Sequence, residues 1–336
     1  MPQSYELGAD DDGRRLDRIL RKLLSDHSLG EIQALFRKKR VKLNGKRVAA
    51  KDRGYAGDQL LIFNIELSHD PGKTAPSLPQ KRVNEPAGGS LQTAHEAQIA
   101  GLVVFESPDL LILNKPRGVT AHGEHSLLPQ ILDYLHRKRT ASLSFTPGPV
   151  HRLDRNTTGL IVYAKTLHGA RSFSQLLHSH TLRKRYLALL NGSLKQDLTW
   201  SDVLHRDDHT QTTRAGDPHA HAQWSARGAG SGLAAETTVL PLYDNGHLTL
   251  AVLEPKTGRT HQIRAQAALH GHPLVGDSKY GAPATPHAYI LHAFELSWED
   301  PTPQRVLAPL PPEAESRLTR LFGAQHLCEL LGELGL

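Results

Sequence analysis

The chain has 336 residues, 38% of them hydrophobic and 22% charged, with a net charge of +6, so it is long enough for two globular domains. Its single cysteine, Cys328, excludes an internal disulfide and a cysteine-based zinc site. No apolar run reaches the roughly 18 residues of a membrane span, and the acidic start does not resemble a secretory signal, so we expect a cytoplasmic protein without membrane contact.

Positive charge is concentrated near the N-terminus. Residues 14–53 contain 14 Lys and Arg against four Asp and Glu, a net charge of +10, which leaves −4 for the rest of the chain. This concentration indicates a nucleic-acid-binding module, the alternative being a solvated basic face. The cations assigned to RNA binding are Arg14, Arg15, Arg18, Arg37, Lys38, Lys39, Arg40, Lys42, Lys46 and Arg47.

The same region contains sequence patterns that predict its secondary structure. Apolar residues between Leu16 and Leu24 repeat at helical spacing, and Ser28 with Glu31 forms a capping box at the start of a second helix. The Asn44-Gly45 pair, flanked by Val41-Lys42-Leu43 and Lys46-Arg47-Val48, predicts a tight hairpin. We therefore predict a small α/β domain over residues 12–66, with two helices packed on a small sheet.

A linker and a larger domain follow. Residues 67–98 are rich in Pro, Gly, Ser and Gln and predict a flexible linker. In residues 99–312 strands outnumber helices and hairpins recur, which favours an α+β fold with a central mixed, largely antiparallel sheet flanked by helices. Residues 313–336 predict a helical tail. The predicted strands are 102–105, 110–114, 160–164, 185–190, 234–243, 247–253 and 290–298, and the predicted helices are 126–136, 167–177 and 259–270.

The segment HRLDRNTTGL, residues 151–160, carries the strongest chemical signal. It places Asp154 between Arg152 and Arg155, ahead of a small-residue turn and a buried strand. Neighbouring cations favour the ionised form of a carboxylate, which suits Asp154 to act as a nucleophile or a base. Taken alone, the same pattern also fits a structural ion pair.

Three further segments are informative in combination. They are NKPRG at 114–118, Lys184-Arg185-Tyr186, and KTGRTHQIR at 256–264, which is followed by HPLVGDSKYG at 272–281. Singly, each has a structural interpretation, such as a turn or a packed aromatic. In this order, together with HRLD and its following TxGL, they resemble the RluA-type family of RNA pseudouridine synthases over residues 100–300. The N-terminal module resembles the alpha-L RNA-binding domain, named after small-subunit ribosomal protein four, of family members that modify large-subunit ribosomal RNA.

The resemblance implies an isomerase that converts uridine to pseudouridine in structured RNA, foremost 23S ribosomal RNA, with no cofactor and no metal. It implies that Asp154 is the essential carboxylate, Arg264 its partner, and Tyr186 the aromatic that stacks on the target base. Arg152 is the candidate to fill the space left by a flipped uridine. Ile263 and Leu274 are candidates for an apolar pocket wall. Lys115 and Arg259 either approach phosphates or form structural pairs.

Alternatives remain open at this point. The chain could be a non-catalytic RNA-binding or ribosome-assembly protein with a vestigial domain, or the same enzyme acting on tRNA. A glycoside or nucleoside hydrolase would need a second carboxylate, for which Asp277 is the nearest candidate, although a turn role fits it better. Residues 205–222 depart from the family pattern, and their histidines predict a polar loop rather than a metal site. We expect a monomer.

Overall fold

A computed structural model describes residues 2–63, 97–121, 123, 126–136, 143, 145–207, 212–216, 232–283, 285, 287–299 and 304–336. Most of the predicted linker, up to residue 96, therefore lies outside the described residues, and residues 97–100 are helical. Within the described ranges, no helix is both long and apolar enough to cross a bilayer.

The basic module is an α/β unit. Glu31 N–H donates to Ser28 Oγ at 3.3 Å and Ser28 N–H donates to Glu31 Oε2 at 2.7 Å, which confirms the capping box. Asn44 and Gly45 have φ angles of 50° and 78°, as the predicted hairpin turn requires. The elements are β1 (Gln3–Glu6), β2 (Arg14–Arg15), α1 (Leu16–Leu23), α2 (Leu29–Arg37), β3 (Val41–Leu43), β4 (Lys46–Arg47), β5 (Arg53–Gly54) and β6 (Gln59–Ile62). Four of these strands form a sheet in the order β1-β6-β3-β4, so the sheet extends N-terminal to residue 12.

The module contacts the larger domain through a turn that follows β1. Asp10 Oδ1 accepts a hydrogen bond from the Leu167 N–H at 2.8 Å, and Asp11 Oδ2 accepts one from the Leu143 N–H at 3.2 Å. The Leu143 side chain packs against the module's apolar core. These contacts join the two parts of the chain independently of the linker.

The larger domain is built on one eleven-stranded sheet. The strands are β7 (Val103–Glu106), β8 (Leu110–Lys115), β9 (Gly148–Pro149), β10 (Thr158–Ala164), β11 (Arg183–Asn191), β12 (Leu198–Asp207), β13 (Thr212–Gly216), β14 (Leu233–Asp244), β15 (Leu248–Pro255), β16 (Leu291–Trp298) and β17 (Gln304–Leu307). Their order in the sheet is β13-β12-β14-β15-β11-β16-β10-β8-β7, with β17 on β16 and β9 on β10. Among these described strands, only the β10–β16 pair is parallel, so the predicted mixed, largely antiparallel sheet is confirmed.

The parallel junction between β10 and β16 is short. It has two residue pairs, Thr158 with His292 and Gly159 with Ala293. Gly159 has φ +105°, and a Cβ there would lie 2.2 Å from the Ala293 carbonyl oxygen, so only glycine fits. The His292 ring crosses the junction, with Nδ1 2.8 Å from Thr158 Oγ1 and Nε2 3.1 Å from the Ala308 oxygen.

Helices cover both faces of this sheet. They are α3 (Leu128–His136), α4 (Leu167–His178), α5 (Gln262–Leu269), α6 (Pro312–Phe322) and α7 (Ala324–Leu334). Leu187 and Leu250 pack in a core with residues of α6 and α7, whereas the neighbouring Ala188 and Ala251 pack with residues of α5. The alternation of side chains along a strand places these two cores on opposite faces. The predicted helical tail is thus part of the core packing.

The prediction of a polar loop over residues 205–222 is wrong for its described part. His205 lies in β12 and is buried, and residues 212–216 form β13, which pairs with β12. Five residue pairs between β12 and β13, including His205 with Arg214, satisfy the backbone of this stretch despite its polar composition. His209, His219 and His221 lie outside the described residues.

Candidate active site

Asp154 lies in the loop between β9 and β10, and His151 fixes the start of that loop. His151 Nε2 accepts a hydrogen bond from the Val162 N–H at 3.1 Å, and its ring stacks on Phe173 with centroids 6.0 Å apart. Burial lowers the pKa of His151 to about 4, so the ring is neutral and can accept this bond. The Asp154 carbonyl accepts the Thr157 N–H at 3.1 Å, which closes a turn before β10.

The cation bonded to Asp154 comes from a distant part of the chain. Arg264 Nη1 donates to Asp154 Oδ2 at 3.2 Å. The sequence-adjacent Arg155 instead donates from Nε to the Gly118 carbonyl at 2.9 Å, and Arg152 is exposed at the rim of the cleft. Among the described residues, Arg264 alone hydrogen-bonds the Asp154 carboxylate, so sequence neighbours do not supply the pairing charge.

Arg264 is held rigidly on α5. Its Nε and Nη2 donate to the two carboxylate oxygens of Asp277, each at 2.7 Å. The guanidinium carbon also lies 4.8 Å from the Tyr280 ring centroid and 4.7 Å from that of Tyr289. Burial disfavours the charge, but the hydrogen bonds to Asp277 and the charges around it raise the pKa of Arg264 above its ordinary value. A fixed cation is thus presented to Asp154.

Tyr186 and Lys184 line one side of the cleft from β11. Residues two apart on a strand share a face, so Arg185 lies on the other face, where it pairs with Glu254 at 3.0 Å and Glu295 at 3.1 Å. Burial, and secondarily the charge of Asp154, raises the pKa of Tyr186 well above its ordinary value. The Tyr186 side chain is therefore a neutral phenol at physiological pH.

Lys115 matches the structural alternative. Its side chain is fully buried, and Nζ donates to the carbonyls of Pro116 at 3.0 Å, Val119 at 2.9 Å and Arg155 at 3.2 Å. Burial lowers the pKa of Lys115 to about 8, although the nearby Asp154 opposes this shift. With its three donors used, Lys115 ties the 116–119 loop to the loop that carries Asp154.

The cleft has a volume of about 310 Å³, and one of the two apolar residues that were predicted to line it does so. Ile263 lines the cleft, but Leu274 does not, so the prediction for Leu274 is wrong. Leu274 forms a backbone bridge with Leu190 and is fully buried in the core beneath α5. Leu153, Leu177 and Leu291 also line the cleft and were not predicted.

The loop before α5 is pinned by Gln262, which the sequence reasoning missed. Gln262 Oε1 accepts from the Thr257 hydroxyl at 2.6 Å and from the Arg259 N–H at 3.0 Å. The bond to Arg259 has the three-residue spacing of a capping box, but Gln262 is the first residue of α5 and Arg259 is not a capping residue, so no standard sequence pattern marks it. The Arg259 side chain donates from Nε to the Ala234 carbonyl at 3.2 Å while remaining exposed at the cleft.

Comparisons with known proteins cover this site. The family model described as RNA pseudouridylate synthase matches residues 109–269, a range that includes Asp154, Tyr186 and Arg264. Ribosomal large subunit pseudouridine synthase C of Vibrio cholerae is 28% identical over 330 residues, which are 95% of this chain and 96% of that protein. Ribosomal large subunit pseudouridine synthase D of Nitrosomonas europaea is also 28% identical, over 94% of this chain and 86% of that protein.

A solved structure shares the fold. Human RNA pseudouridylate synthase domain containing 4 superposes with a TM-score of 0.54 at 21% identity, covering 69% of this chain and 97% of the human chain. The expected α+β architecture therefore has a counterpart of known structure.

Proposed function

Because this chain belongs to the RluA-type family of RNA pseudouridine synthases, we propose that it isomerises uridine in large-subunit (23S) ribosomal RNA with Asp154 as the catalytic carboxylate. The relatives named above as large-subunit enzymes support this choice of RNA, and so does the N-terminal charge of the chain. We also propose that it acts in the cytoplasm and as a monomer.

One observation carries the proposal. Asp154 lines a cleft large enough for a nucleoside, and a rigidly held Arg264 donates to one of its oxygens at 3.2 Å. A charge-assisted hydrogen bond of this kind stabilises the ionised carboxylate. An ionised carboxylate at the cleft surface can reach the sugar of a uridine that has left the base stack.

The chemistry is an exchange of bonds at one sugar carbon. The bond from C1′ to N1 of uracil breaks, the base turns, and a bond from C1′ to C5 forms. The proton on C5 then leaves, and N1 ends with a proton, so atoms and electrons balance without redox change or hydrolysis. No cofactor is required by this balance. Asp154 either attacks C1′ or removes a proton from the neighbouring sugar carbon, and both routes need it ionised.

The other cleft residues receive roles that fit their surroundings. Tyr186, a neutral phenol, stacks on the uracil, and its hydroxyl assists removal of the C5 proton. Arg152, exposed at the rim, fills the space that the flipped uridine leaves. Ile263 forms the apolar wall, and Arg259 is placed to approach the phosphates next to the target.

The decisive experiment uses unmodified 23S ribosomal RNA and tRNA transcripts. Wild type, Asp154→Ala and a control variant at the exposed Asp197, Asp197→Ala, are incubated with each RNA, and pseudouridine is mapped by chemical labelling. We expect defined sites in 23S RNA with wild type and Asp197→Ala and none with Asp154→Ala. Sites in tRNA alone would move the substrate to tRNA.

Two results would overturn the proposal. If wild type forms no more pseudouridine than Asp154→Ala but binds the RNA, the chain is a non-catalytic RNA-binding protein. Release of free uracil in place of pseudouridine would assign a hydrolase.

A further inference from the structure

His261, the residue that precedes α5, adopts an unusual backbone conformation. Its φ and ψ angles are 54° and 21°, in the left-handed region that residues other than glycine rarely occupy. Such a conformation persists where surrounding contacts enforce it, and it is often associated with functional sites. The consequence here is that the imidazole lies beside the Asp154 carboxylate.

A chain of hydrogen bonds fixes the tautomer of His261. Tyr280 Oη accepts the Thr213 N–H at 3.0 Å and lies 2.8 Å from His261 Nδ1. Because the Tyr280 oxygen already accepts one hydrogen, we assign its own hydrogen to the bond with Nδ1. The ring hydrogen of a neutral His261 then resides on Nε2, which lies 3.7 Å from Asp154 Oδ2.

Burial is the main factor that favours this neutral form of His261. Burial lowers the pKa of His261, the Asp154 carboxylate raises it, and the nearby cations lower it again. Those cations are Arg264, Lys279 and Arg152. His261 is thus a neutral donor, distinct from the permanent charge of Arg264.

We propose that His261 is a positioning residue that holds the Asp154 carboxylate in its reactive orientation, a role that rests on the proposed function. Arg264 and His261 both approach Oδ2, and among the described residues none donates a hydrogen bond to Oδ1. Oδ1 is therefore the oxygen that attacks the sugar or takes its proton. A shift of about 0.8 Å brings Nε2 to ordinary hydrogen-bond distance, as catalytic contacts often tighten when substrate binds.

The first test compares substitutions at His261 in single-turnover reactions on 23S RNA. We expect His261→Ala to lower the rate of the chemical step about 10- to 100-fold, the range expected for small misplacements of a reacting group. The affinity for RNA should stay within about twofold of wild type. His261→Gln keeps an N–H donor near the position of Nε2 and should restore most of the lost rate. His168→Gln, at an exposed histidine of α4, is the matched control and should react like wild type.

The second test addresses the Tyr280 hydroxyl. Tyr280→Phe keeps the ring over Arg264 but removes the group that sets the His261 tautomer. We expect it to slow the wild type about tenfold and to add less than about twofold to His261→Ala, because residues in one network are not additive. If His261→Ala does not fold, the effect of Tyr280→Phe can be measured in the His261→Gln background instead.

The proposal would be overturned if wild type is active and His261→Ala reacts within about threefold of it. Equal losses in His261→Ala and His261→Gln, with multiplicative effects of Tyr280→Phe, would also reject it, because a purely structural role predicts that result. Inactive wild type would instead refute the proposed function itself.

Discussion

Asp277 binds Arg264 through two parallel hydrogen bonds of 2.7 Å and leaves its third nitrogen, Nη1, for Asp154. Planar guanidinium groups suit this arrangement, because their donors lie in a fixed fork. The side chain of Asp277 is 2% exposed, so the pair is screened little by solvent. Asp277 therefore controls where the cation stands relative to the proposed catalytic carboxylate.

Asp277→Asn should impair both activity and stability. The amide retains the shape of the carboxylate but loses its charge and one acceptor, which leaves the buried Arg264 incompletely paired. We expect kcat to fall at least about tenfold and the free energy of unfolding to fall by about 3 kcal/mol. Urea denaturation and pseudouridine formation measure these effects, with the exposed Asp197→Asn as control. Wild-type turnover in Asp277→Asn would show that the tyrosine rings suffice to hold Arg264.

Gly159→Ala should destabilise the sheet. The methyl group would meet the Ala293 carbonyl at 2.2 Å, and the φ angle of +105° is strained for alanine. Both effects act on the short β10–β16 junction, so we expect a loss of about 3 kcal/mol or more in the free energy of unfolding. Gly148→Ala is the matched control, because a Cβ there meets no atom within 4 Å. Equal melting temperatures for the two variants would contradict this account of Gly159.

His292 should make folding stability depend on pH. Burial lowers its pKa from 6.5 to about 4 in the folded protein, so between these values the unfolded chain binds more protons. The stabilisation is complete above pH 6.5 and is lost as pH falls to 4, an amount of up to about 3 kcal/mol. We expect urea denaturation of His292→Gln to show a flatter pH profile in this window. His168→Gln should keep the wild-type profile, and an unchanged slope in His292→Gln would reject the assignment.

The basic module should give RNA binding its salt dependence. Lys38, Lys46 and Arg47 are exposed at the end of α2 and in the hairpin. If they contact phosphates, replacing all three by alanine should reduce the slope of log K against log[salt] by about 2. The slope falls because binding then neutralises fewer phosphates and releases fewer counterions. Filter binding at several salt concentrations measures this slope. The exposed Arg320 of α6 is the control site, and equal slopes for both variants would argue against phosphate contact by the module.

Local patterns predicted much of the fold. The capping box at Ser28, the Asn44-Gly45 hairpin and the apolar run of β10 are signals contained in a few neighbouring residues, and the structure shows all three. The strands β12 and β13 were missed, because their polar residues are stabilised by pairing with β14 and with each other, not by a local pattern.

The same limit applies to the site. The resemblance identified Arg264, but charge near Asp154 in the sequence pointed to Arg152 and Arg155, which the structure does not show bonded to it. Asp277 could not be recognised as the holder of Arg264, since the two are joined across a turn without periodic spacing. Such partners depend on how distant segments meet in three dimensions.

The cleft is formed by residues from both sides of the short parallel junction. Asp154 precedes β10 on one side of the junction, whereas Arg264 stands on α5, which packs on the strands of the other side. Their 3.2 Å hydrogen bond thus spans two blocks of the sheet that, within the described strands, are joined by two residue pairs. The distance between these two side chains therefore depends on how the two blocks are aligned, so the chemistry at the cleft depends on the alignment of the whole sheet.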